Sequence, residues 1–153
     1  MLRVSRLPSL AATVAVTAVL AFTGSGAAAT PTRAGWSAAA NGICGTGNAQ
    51  IRKLPTGTAP AVRAARFRAI ARIVSRENAR LSVLPRPASE LPNITFFLAK
   101  SRALVALYGQ AARAEDANDK PAFATVRTMI KQVGYYYDFS ARVLGARVCV
   151  QPS

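Results

Sequence analysis

The segment 119–145, DKPAFATVRTMIKQVGYYYDFSARVLG, decides the fold class. Phe123, Val126, Ile130, Val133, Tyr137 and Leu144 recur at intervals near three and four, the α-helical period. Asn118 or Asp119 can cap the start, and Pro121 fits a first turn, where its missing N–H costs little. Gly145 supplies the left-handed stop.

Outward from there, two more long segments repeat the pattern. One starts near Ser89 or Pro92 and carries Ile94, Phe97, Leu98, Leu104, Val105, Tyr108 and Ala112 before the polar break DANDKP. The other starts near Thr58 as N-cap, with Pro60 in its first turn. It carries Phe67, Ile70, Val74, Leu81 and Leu84, and stops at Pro85 and Pro87, which cannot continue a helix. No segment of comparable length alternates with period two. Ahead of these, residues 48–54, NAQIRKL, read as a short helix ended by the turn sequence PTGT. Residues 30–43, TPTRAGWSAAANGI, show no period and read as a flexible lead-in.

Residues 1–29 have the order of a secretory signal peptide. Arg3 and Arg6 precede an apolar run from Leu7 to Phe22, and Ala27 and Ala29 sit at small-residue cleavage positions. The run is shorter than the ~20 residues of a spanning helix. Export with cleavage near Ala29 is therefore expected, giving a secreted protein. Losing Arg3 and Arg6 takes the formal charge from +14 to +12. Such a charge favours anionic polymers or lipid headgroups as partners.

Cys44 and Cys149 are the only cysteines. In an oxidising compartment they are expected to pair. In an up-down-up arrangement Cys149 lies about one helix length, ~40 Å, from Thr58. Cys44 reaches it only if residues 44–57 travel back along the bundle, partly as the short helix. The expected fold is all-α: an antiparallel bundle of three long helices plus a short N-terminal helix, spanning 44–153 and closed by one disulfide.

The most charged stretch is Arg66–Arg80, RFRAIARIVSRENAR. At ~100° per residue, Arg68, Arg72, Arg76 and Arg80 form a slowly winding stripe opposite Phe67, Ile70, Val74 and Leu81. That is how a solvated face looks, but arginines four apart repel modestly and nothing acidic lies within the stripe. It is thus a candidate surface for an anionic envelope polymer or a membrane. Aromatic interleaving is missing, which argues against nucleic acid. Glu77 falls on the apolar side, where a lone charge is costly, and is expected to pair with Arg102 or Arg142.

Tyr137 belongs to the core stripe, and Tyr135, Tyr136 and Phe139 cannot all share it. They suggest an exposed aromatic patch or the wall of an apolar pocket, with Tyr108, Tyr136 and Phe139 as candidate ligand contacts. Glu115, Asp116 and Asp119 fit helix-end and capping roles better than any EF-hand spacing. The chain has no histidine, which excludes Ser-His-Asp and Cys-His catalysis and histidine metal sites. No cofactor motif is present, and a non-catalytic binding protein is expected.

CGTGNAQIRKLP at 44–55, the Leu84-Pro85 helix stop and the closing LGARVC at 144–149 resemble small Ala-rich exported proteins of high-GC Gram-positive bacteria. The resemblance implies a helical fold and an exported location, and it assigns no activity.

Overall fold

The computed structural model describes residues 30–150. The expected leader, residues 1–29, lies outside the described residues. Four α-helices make up the fold, with no strand among the described residues: α1 (Arg33–Arg52), α2 (Pro60–Ser82), α3 (Leu91–Asp116) and α4 (Lys120–Leu144). Single 3-10 turns at Ala88–Glu90 and Arg147–Cys149 complete it.

The three long helices follow from the apolar spacing, and their ends from local chemistry. Asp119 caps α4 by accepting from the Ala122 N–H, and Gly145 stops it at φ 78°. Asn118 ends α3 at φ 51°, a left-handed conformation that asparagine tolerates better than most residues. For α2 the N-cap is Ala59, not the expected Thr58, and its side chain makes no cap. Thr58 instead offers its carbonyl to the Arg63 guanidinium. The helix also ends at Ser82, two residues short of Leu84.

The larger correction concerns residues 30–43. They are not a flexible lead-in, and 48–54 is not a separate short helix; both belong mostly to α1, a 20-residue helix. Thr32 caps it through the Gly35 N–H. Its inner face is Trp36, Ala40, Ile43, Cys44 and Gly47, a helical stripe in which only Trp36 and Ile43 are large. Small residues and four glycines hide that period, because glycine costs ~1 kcal/mol each in a helix interior.

Tertiary contacts repay the weak propensity. Trp36 is buried and meets Phe97 edge-on at 6.0 Å, and Phe97 stacks on Tyr137 at 4.7 Å. Cys44 and Cys149 form the expected disulfide, with Cα atoms 4.9 Å apart. Two asparagines of α1 then clamp the last turn. Asn41 donates to the Gly145 carbonyl and accepts from the Val148 N–H, while Asn48 donates to the Val148 carbonyl.

Around Phe97 the core gathers Leu81, Ile94, Leu104 and Leu144, all fully buried. A second aromatic group joins three helices: Phe67 of α2 stacks on Tyr108 of α3 at 6.3 Å and tilts onto Phe123 of α4 at 5.8 Å. Polar ties fix how α2 lies on α3. Near the start of α2, Arg63 makes a bidentate bond to the buried Glu115 carboxylate, 2.7 Å on each arm. Towards its end, the buried Asn78 amide donates to the Leu98 carbonyl at 3.0 Å.

Candidate functional site

The rigid seating of α2 holds one face outward. Arg68, Arg72, Arg76 and Arg80 are all exposed on it, spaced by about 6 Å along the axis. The structure separates them into two kinds. Arg68 is ion-paired with Asp116 from the end of α3, so the stripe is neutralised at that end. Sequence spacing alone missed this because the acid comes from another helix. Among the described residues no carboxylate makes a salt bridge to Arg72, Arg76 or Arg80.

These three border two depressions. Arg72 and Arg76 rim a shallow hollow of about 440 Å³ with Ala71, Ser75 and Val105. Arg76 and Arg80 stand over a smaller cavity of about 160 Å³ between α1 and α2, walled by Ile43, Thr46, Gln50 and Ile73. Glu77 lies in that second cavity.

Glu77 pairs with neither Arg102 nor Arg142. Its Oε1 is buried with no hydrogen-bond partner among the described residues. The carboxyl lies directly on the bare α1 backbone at Gly47, where an added Cβ would sit 1.7 Å from Oε1. That contact explains a glycine in mid-helix. Burial pushes the Glu77 carboxyl up to about 7, against the opposing pull of Arg80.

The folded protein therefore keeps a proton that the unfolded chain releases near 4.5. Stability from this group is fully present below that value and falls as pH rises through about 7. Allowing for the carboxyl's partial exposure, the loss is about 1–2 kcal/mol. Glu77→Gln should flatten the fall, so thermal melts between pH 5 and 8 check it. A variant that retains the full pH dependence would show that another group carries it.

The remaining candidates are dispersed. Tyr108 is buried in the core, while Tyr136 and Phe139 are exposed on α4, so the three do not line one internal pocket. Glu115, Asp116 and Asp119 each have a partner: Arg63, Arg68 and the α4 amide of Ala122. Among the described residues no three or more of His, Cys, Asp and Glu gather where a metal ion could be held. No described helix is long and apolar enough to cross a membrane. No family model, curated protein or solved structure matches the chain.

Proposed function

We propose that this is a non-catalytic, exported binding protein that grips an anionic polymer of the cell envelope through Arg72, Arg76 and Arg80. The carrying observation is three exposed guanidiniums, unpaired with any carboxylate among the described residues, on one helix face. A guanidinium offers planar, bidentate donors suited to phosphate or carboxylate groups, and stepwise spacing suits a chain of repeating charges.

The disulfide supports the exported reading, since such bonds persist in oxidising compartments. The Arg63–Glu115 and Asn78–Leu98 ties support the antiparallel sense of the bundle, joining α2's start to α3's end and the reverse.

Charge reversal at Arg72, Arg76 and Arg80 together should weaken binding to immobilised polyphosphate by about 100-fold at low salt. Arg68→Glu should weaken it much less, because Asp116 already occupies that guanidinium. Wild-type affinity should fall steeply with salt. Retention that ignores both salt and the triple reversal would sink the reading.

A further inference from the structure

A second surface lies on α4. Met129, Tyr136, Phe139 and Val143 are all exposed, and their spacing of seven, three and four places them on one face. This face is distinct from the one that α4 buries, which carries Val126, Tyr137, Ser140, Ala141 and Leu144. Tyr135, more exposed still at 68%, packs edge-on against Tyr136 at 5.5 Å. From α3, Phe96 extends the patch, and the Lys100 ammonium bridges its ring and that of Tyr136 at 4.8 and 5.4 Å.

Single exposed apolar side chains are ordinary on a protein surface. Six on adjoining helices form a patch of the kind that marks an interaction site.

The surrounding charge indicates the occupant. Lys100 stands inside the patch, and Arg142, three residues on from Phe139, is exposed beside it, whereas Lys131 lines the groove between α2 and α4. At the far end Arg33 is exposed and donates to the Val143 carbonyl. Of the acids near this helix, Asp119 caps its start through the Ala122 N–H, Glu90 is tied to Arg33, and Asp138 is half-buried and engaged in a contact of its own.

Aromatic and aliphatic side chains with flanking cations are the features of a helix lying in a bilayer interface. There rings settle at headgroup depth, and lysine and arginine meet lipid phosphates. An apolar small molecule would need an enclosing wall, and both Tyr136 and Phe139 are open to solvent.

We infer that the α4 face seats the protein on an anionic lipid bilayer, with Tyr136 and Phe139 entering the interface and Lys100 and Arg142 contacting headgroup phosphates. This surface is separate from the arginine face of α2 and does not depend on it.

The test is co-sedimentation of the processed protein, recovered from culture medium, with phosphatidylcholine vesicles with or without one quarter phosphatidylglycerol. Binding is expected only to the anionic vesicles. Tyr136→Ser with Phe139→Ser should lower the partition coefficient about tenfold or more, with an unchanged melting temperature because both rings are exposed. Charge reversal at Arg72, Arg76 and Arg80 should leave most vesicle binding intact while weakening polyphosphate binding about 100-fold. That pattern distinguishes failure of this inference from failure of the polymer reading.

Three results would overturn the assignment. One is a Tyr136/Phe139 double variant that binds vesicles as the wild type does. Another is vesicle binding lost only with the α2 arginines. The third is wild-type protein that ignores vesicles but forms dimers, seen by light scattering, that the double variant lacks.

Discussion

Trp36→Ala is expected to destabilise the protein by about 3–5 kcal/mol, the cost of emptying a large buried aromatic site. Trp36 is only 3% exposed, meets Phe97 edge-on, and sits one turn into α1. Truncating it opens a void beside Phe97, itself fully buried and stacked on Tyr137. The Trp36 indole N–H has no hydrogen-bond partner among the described residues, so Trp36→Phe sacrifices no polar contact there and should cost much less. Urea unfolding of the two variants gives the comparison. A loss below about 1 kcal/mol for the alanine variant would mean that the first turns of α1 are not docked on the core.

The other large effect belongs to the Cys44–Cys149 bridge. Its partners are 105 residues apart, so it closes almost the whole described chain into one loop. On the chain-entropy model, opening a loop of that size costs up to ~4–5 kcal/mol, and native disulfides of small exported domains typically contribute ~2–5. Cys44→Ser with Cys149→Ser should thus lower the melting temperature by about 10–15 °C. The Asn41 and Asn48 clamps remain in such a variant and still hold the last turn against α1. The product should therefore be a weakened native fold with retained helical circular dichroism at low temperature. An unchanged melting temperature would count against the bridge as a determinant of stability.

Much of the architecture could be read from residue order because α2, α3 and α4 write their inner faces in large apolar side chains. Their punctuation is equally plain: Pro85 and Pro87 after α2, Asp119 before α4, Gly145 after it. Helix α1 escaped for a physical reason. Its inner face is written in Ala40, Cys44 and Gly47, residues that bury little area each, and its glycines lower local propensity. What holds it is non-local: Phe97, the disulfide, and the carbonyls of residues 145 and 148. No window of sequence contains those partners.

The candidate site shows the same division. The outward direction of Arg68, Arg72, Arg76 and Arg80 followed from helical spacing, whereas the pairing of Arg68 with Asp116 needed α3 in place. The odd position of Glu77 was visible on the helical wheel, but the expected arginine partner was not the answer. The carboxyl is accommodated by the missing side chain at Gly47, and burial favours its protonated form against the pull of Arg80, with which it makes no salt bridge. Gly47 was the available signal: a glycine inside a helix invites the question of what approaches its bare backbone. For the tyrosine run, spacing showed that not every ring could be buried. Spacing also put Tyr137 in the core stripe, where it is buried, and the packing of α3 on α4 showed that Tyr135, Tyr136 and Phe139 all stay outside.

The covalent tie between the opening helix and the closing turn also changes what backbone damage means for this molecule. A protease that severs the connector after Lys53 cuts inside the sulfur-closed ring. The two pieces stay joined and cannot diffuse apart, so the helices keep each other at high effective concentration and the break can be survived. One staple placed at both ends of the fold thus protects every loop between them, an advantage under the proposed export, where extracellular proteases would be met.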